Sequence, residues 1–221
     1  KNKLFILNGD CHAQHFIPMI DNSKIIKNIL FVGDVALSTL SENCLLLNKC
    51  NIEEKQEKKY HETSIMEINK FSKNFEEIIL INKVFFTEKN DNMNLDNYYE
   101  VLIKYLDKFE KNIKFIFFEP TSVFKYGPAP CVLLEKNCDI SLEDGIEYQK
   151  KIQLIYNKIS SERKNVFIFN PNNFLCIENN CKIYDKYNDF LYYKDNDNLS
   201  VEASKNLSKY FDKWVIDHFY E

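Results

Sequence analysis

The chain has 221 residues, 45% hydrophobic and 14% aromatic, with a formal charge of −4. That length and apolar content suit one α/β domain with a full core over residues 1–221. The weak charge gives no reason to expect nucleic acid or an anionic membrane as partner, and no apolar run approaches the roughly 20 residues that cross a bilayer.

Residues 3–7 are an apolar run suited to one buried strand. Gly9 and Asp10 break it, and from Ala13 a helix is expected, with Phe16, Ile17 and Ile20 at helical spacing. The order strand, tight turn, helix leaves Cys11 on the turn. Open α/β sheets place ligands at such strand ends, and helix amino ends favour anions, a thiolate included. The plain alternative is an ordinary turn with a chance cysteine.

Residues 28–32 read as a second strand, closed by Gly33 and Asp34. Residues 37–50 read as irregular. Residues 53–71 are charged, and Ile65, Ile68 and Phe71 make the second half an amphipathic helix. Residues 77–86 begin as a nearly continuous apolar run, the pattern of a parallel strand covered on both faces. A polar loop at 87–94 leads to a helix over 95–109 and a strand over 114–118. Residues 119–142 form the longest irregular stretch, rich in proline; a loop that long is usually functional or cross-linked. Ser141 and Asp144 form a capping box for a helix running to about residue 159. A strand over 165–169, a loop with a hairpin over 174–193, and a helix over 201–218 capped by Ser200 complete the chain. Strands alternating with helices imply right-handed parallel βαβ units. Five strands in the flavodoxin-like order 2-1-3-4-5 would put Cys11 at the topological switch point.

The seven cysteines fall into three local pairs, Cys44 with Cys50, Cys131 with Cys138 and Cys176 with Cys181, leaving Cys11 over. Such pairs read as disulfides of an oxidising compartment; the alternative is free, buried, small apolar residues. The leftover cysteine is a candidate reactive thiol.

Gly9-Asp10-Cys11-His12-Ala13 resembles the Gly-Asp-Ser-His-Ala opening block of SGNH hydrolase-like domains, especially those fused to transmembrane acyltransferases. The stretch from Tyr193 to Ser200 resembles the closing block of that family, Tyr-x-Asp-x-x-His-Leu-Ser, with Asp195 at the aspartate and Asn198 at the histidine. Asn43-Cys44-Leu45, the segment from Glu119-Pro120 to Pro130-Cys131, and Cys176 to Cys181 with Tyr184 are similar to its middle segments. The resemblance implies a three-layer αβα fold on a five-stranded parallel sheet. It implies a nucleophile at Cys11, Asp195 and Asn198 in the acid–base block, and oxyanion donors at Gly33 and Asn82.

Two departures bear on the chemistry. A serine hydroxyl needs an adjacent base, and Asp-x-x-His supplies imidazole with a carboxylate to orient it. Asn198 hydrogen-bonds but takes no proton near neutral pH. A cysteine partly escapes this need, because a helix amino end stabilises its thiolate. His12 reads as structural, and His15 and His61 as surface or packing residues.

The resemblance implies transfer of an acyl group, acetyl by class, to a cell-surface glycan hydroxyl through a thioester at Cys11. It implies no cofactor, with the acyl donor delivered by a transmembrane acyltransferase domain absent from this chain. It also implies a periplasmic or extracellular location for a domain taken from a larger membrane protein. Two alternatives stay open: an acetyl esterase, since water and a sugar hydroxyl attack the same acyl-enzyme, and a catalytically impaired glycan-binding relative. A redox role for Cys11 lacks the Cys-x-x-Cys motif.

Overall fold

The computed structural model describes residues 3–9, 11–27, 29–33, 52–83, 95–134 and 136–220. The stretch at 37–50 with its Cys44–Cys50 pair and the loop at 87–94 lie outside the described residues. The chain forms two compact units. One comprises Lys1–Ala13, Asn28–Phe118 and Lys151–Ile168; the other comprises Gln14–Lys27, Glu119–Lys150 and Phe169–Glu221.

The first unit is built on five strands: β1 (Lys3–Gly9), β2 (Ile29–Gly33), β3 (Glu77–Lys83), β4 (Ile113–Phe118) and β5 (Val166–Phe169). Their order is β2-β1-β3-β4-β5, the expected flavodoxin-like arrangement. The pairings are parallel, with Asn8 opposite Asn82 and Gly9 opposite both Gly33 and Lys83. Leu4, Ile6, Ile78, Leu80, Phe115 and Phe117 form one apolar face. Against it lie α3 (Ile52–Ser72), α4 (Leu95–Leu106) and α7 (Lys150–Glu162) through Ile65, Ile68, Leu102, Tyr105, Ile155 and Tyr156. The alternate residues Phe5, Leu7, Ile79, Ile81 and Ile116 are equally buried, which is why these strands carry apolar runs rather than alternation. Glu77 is ion-paired to both Lys3 and Lys114 and links the starts of three strands. Helix α3 spans the whole charged segment, where the sequence supported only its second half.

The segment after β1 is not one helix. It divides into α1 (Cys11–Gln14) and α2 (Ile17–Asp21). Pro18 is the reason: within a continuous helix its ring would meet the carbonyl of Gln14, whereas in the first turn of a new helix it is tolerated.

The second unit holds α2, α5 (Pro128–Leu133), α6 (Leu142–Gly145), α8 (Asn172–Leu175) and α9 (Val201–Phe219). The helix expected from residue 142 breaks after Gly145. The Gly145 carbonyl accepts from Val123 N at 2.7 Å instead of continuing the helix ladder. A Cβ on Gly145 would stand 2.7 Å from the Ser122 side chain, so only glycine allows this approach. Disulfides join Cys131 to Cys138 and Cys176 to Cys181, as the local spacing suggested. The second closes a hairpin in which Cys176–Ile177 pairs with Asn180–Cys181. Ser141 accepts from Asp144 N, and Ser200 from Ala203 N, as the capping patterns required.

Candidate active site

Cys11 is the first residue of α1, directly after β1. Gly9 has φ 153°, a conformation that L side chains rarely adopt, and this lets the chain turn out of the sheet. Asp10 and the side chain of Cys11 lie outside what the structure describes. Helix α1 has only four residues, so few aligned peptide dipoles act at its amino end. The unaided stabilisation of a thiolate expected there is correspondingly small.

Gly33 ends β2 in register with Gly9, so both strands finish at one level of the sheet. Asn82, the expected carboxamide of the oxyanion site, is engaged inside the layer. It is 3% exposed. Its Oδ1 accepts from Asn8 Nδ2 at 3.1 Å and from Tyr105 OH at 3.3 Å, while its own Nδ2 donates to Leu80 O at 3.4 Å. The cause is strand register: Asn8 and Asn82 are direct partners on the face that α4 covers, and buried amides pair with one another there.

The closing block folds as a compact polar turn. Asp195 Oδ1 accepts from the backbone amides of Asn198 at 2.7 Å and Asp197 at 3.1 Å, and the Asn198 carbonyl accepts from Lys194 N at 2.9 Å. Asp195 Oδ2 accepts from Asn198 Nδ2 at 3.1 Å. Partial burial works to raise the Asp195 carboxyl, but these amide donors outweigh it and hold it below the ordinary carboxylate value.

The sequence reading took His15 for a surface or packing residue. His15 is buried, and its Nδ1 lies 3.1 Å from Asn198 Oδ1 and 3.3 Å from Leu199 N. Contacts between α2 and α9 hold this segment in place. Met19 N donates to Ser204 Oγ at 3.0 Å, Asn22 Nδ2 to Ser208 Oγ at 2.9 Å, and Lys24 N to Asp212 Oδ2 at 2.8 Å. Because Ser200 caps α9 immediately after the turn, fixing α2 to α9 also sets His15 beside Asn198. The signal available in the sequence was the four-residue spacing from Cys11 in a chain with four histidines. His12 and His61 are also buried, and His61 stacks on Tyr105 at 5.4 Å. Among the described residues no group of three side chains could hold a metal ion, and no helix is long and apolar enough to cross a membrane.

The strand order defines a flavodoxin-like α/β domain. The chain belongs to the family of SGNH domains fused to AT3 domains, whose family model matches residues 1–213. It is similar to the periplasmic domain of a lipopolysaccharide acetyltransferase from Salmonella ser. Paratyphi A, with a TM-score of 0.65 at 15% identity, covering 98% of this chain and 84% of that one. It is also similar to the M. smegmatis aryl esterase, with a TM-score of 0.50 at 10% identity, covering 98% of this chain and 100% of that one. No curated protein matches by sequence.

Proposed function

We propose that this chain is an SGNH-type acyl-transfer domain. It carries an acyl group, acetyl by class, as a thioester on Cys11 and passes it to a hydroxyl of a cell-surface glycan. The observation that carries this reading is the turn in which backbone amides hold Asp195 as a carboxylate and the same carboxylate orients Asn198. That is the orienting half of an acyl-transfer triad, in a chain whose family model spans residues 1–213. Attack of the thiolate on the acyl carbonyl makes the thioester, and attack by the glycan hydroxyl breaks it. The Gly33 amide, at the level of the Gly9 turn, serves the developing oxyanion. The acyl donor comes from the fused AT3 domain, a transmembrane acyltransferase in this reading, and no resident cofactor is needed. The chemistry takes place in the periplasm or outside the cell, the compartment that suits the Cys131–Cys138 and Cys176–Cys181 disulfides.

The test uses p-nitrophenyl acetate with intact-mass and peptide mapping. Acetyl should be found on Cys11 and nowhere else, with release of p-nitrophenol, and Cys11→Ala should abolish both. If Cys11 reacts with iodoacetamide but never holds acyl from any activated ester, the domain is a non-catalytic glycan-binding relative and the acyl-transfer reading falls.

A further inference from the structure

Helix α9 carries Lys205, Lys209 and Lys213 at four-residue steps, so the three follow one face with a rise of about 6 Å between neighbours. Like charges at this spacing oppose helix formation rather than support it. Asn22, Lys24 and Ile25, which follow α2, stand against this face and form with it a groove of about 550 Å³. Lys24 thus adds a fourth cation from a second element. All these residues belong to one compact unit.

The floor of the groove is polar and already bonded. Ser208 and Asp212 are buried. Ser208 Oγ accepts from Asn22 Nδ2 at 2.9 Å, and Asp212 accepts from Ser23 Oγ and from Lys24 N, the latter at 2.8 Å. These bonds tie the two walls together, so the groove is formed before anything enters it. The charged groups among the described lining residues are four lysines and Asp212, an excess of three positive charges. The chain as a whole has a formal charge of −4. Glu202 reaches Lys205 at 3.4 Å from outside the groove, but both side chains are exposed and such a pair is weak.

We propose that this groove binds a linear glycan that carries anionic groups, carboxylate or phosphate, along its length. The inference rests on the acyl-transfer reading above, to which it adds the class of the glycan. Charge complementarity selects an anion. The cations are all lysine. They are point charges without the planar fork of arginine, so they attract negative groups by spacing and do not demand one geometry. The step of about 6 Å between neighbouring lysines is close to the length of one sugar unit in a chain. Ile25 and Ile216, the latter 43% exposed, offer apolar surface to the ring faces, and the Asn206 carboxamide bonds hydroxyls. A bilayer fits less well. The lysines line a recess between two segments, whereas headgroups present a broad surface, and the net negative chain is repelled by it. Lys205 lies about 8 Å along α9 from Ser200, the cap that directly follows the Asp195 turn. A glycan in the groove therefore lies along the helix which that turn begins.

The experiment measures fluorescence anisotropy of labelled oligogalacturonate, which carries carboxylates, and of a labelled phosphate-bearing mannan. A neutral dextran oligomer of the same length and vesicles containing phosphatidylglycerol are measured beside them. At least one anionic glycan should bind, and binding should weaken as salt shortens the Debye length from about 30 Å at 0.01 M to about 8 Å at 0.15 M. Changing Lys205→Gln, Lys209→Gln and Lys213→Gln together keeps good helix formers. It should weaken binding on the order of tenfold, the sum of three exposed charge contacts of ordinary strength. Lys70→Gln, Lys111→Gln and Lys164→Gln, exposed and in the other unit, make the same charge change and should leave binding unaltered. Thermal melts report folding. If the groove triple does not fold, Lys209→Gln alone takes its place, with an expected loss of about two- to five-fold. Equal weakening by both triples overturns the inference, as does dextran that binds as well as the anionic glycans. Vesicles that bind through the groove lysines, with neither glycan bound, overturn the glycan as occupant. Groove-dependent glycan binding without acyl on Cys11 from any ester supports the groove and overturns acyl transfer. Acyl on Cys11 without groove-dependent binding overturns the groove and leaves acyl transfer standing.

Discussion

In the sheet unit, Ile6, Leu80 and Phe115 are wholly buried and come from regular parallel strands. In the unit that carries Asp195, short helices and two-residue strands are joined by two disulfides and by hydrogen bonds of polar side chains. Asn172 Nδ2 donates to Pro120 O at 2.7 Å, and Ser122 Oγ to Cys181 Sγ at 3.1 Å. The first design gains its stability from apolar area, which is non-directional and tolerates exchange of similar side chains. The second relies on directional bonds and cross-links, which set individual atoms more narrowly. Asp195, Asn198 and His15 all stand in the second kind of structure, where a shift of a few tenths of an ångström would break a contact.

The difference can be broken from the sheet side most strongly. Phe115→Ala removes a fully buried ring that stacks edge-on against Phe109 at 5.2 Å. It should cost about 3–5 kcal/mol in urea unfolding. A loss below about 1 kcal/mol would mean that this face is not the core.

Next in size is an acid effect in the same unit. His61 is buried, and neither ring nitrogen has a hydrogen-bond partner among the described residues. Burial first, and the neighbouring Lys108 charge second, lower its pKa to about 4. The unfolded chain binds this proton below about pH 6.5, while the folded chain refuses it until about pH 4. Stability is therefore complete at neutral pH and declines between these two values, by roughly 2–3 kcal/mol. His61→Phe keeps the stack on Tyr105 and should remove this part of the pH dependence. Equal slopes of stability against pH in both proteins would show that His61 titrates normally.

The smallest expected effect sharpens the contrast from the other unit. Replacing both Cys176 and Cys181 by alanine opens a loop of sequence separation 5. Chain entropy for so short a loop gives about 2 kcal/mol. Hydrogen exchange should rise around residues 172–200, while the amides of β1, β3 and β4 keep their protection. Equal loss of protection in both units would refute the idea that they are held by separate means.

Strand identity, strand order, the helix caps and two local disulfides were legible in the sequence. Each depends on residues close in the chain or on the parallel βαβ rule, and neighbouring residues and periodicity report such features directly. Three things were decided only by tertiary structure. Asn82 points into the layer because its register partner is Asn8, a pairing 74 residues apart. The helix after residue 142 stops because Gly145 backs onto Ser122. His15 joins the turn at Asn198 across 183 residues of chain because α2 is fixed to α9. A linear pattern shows which side chains can bond, but long-range register and packing choose the partners.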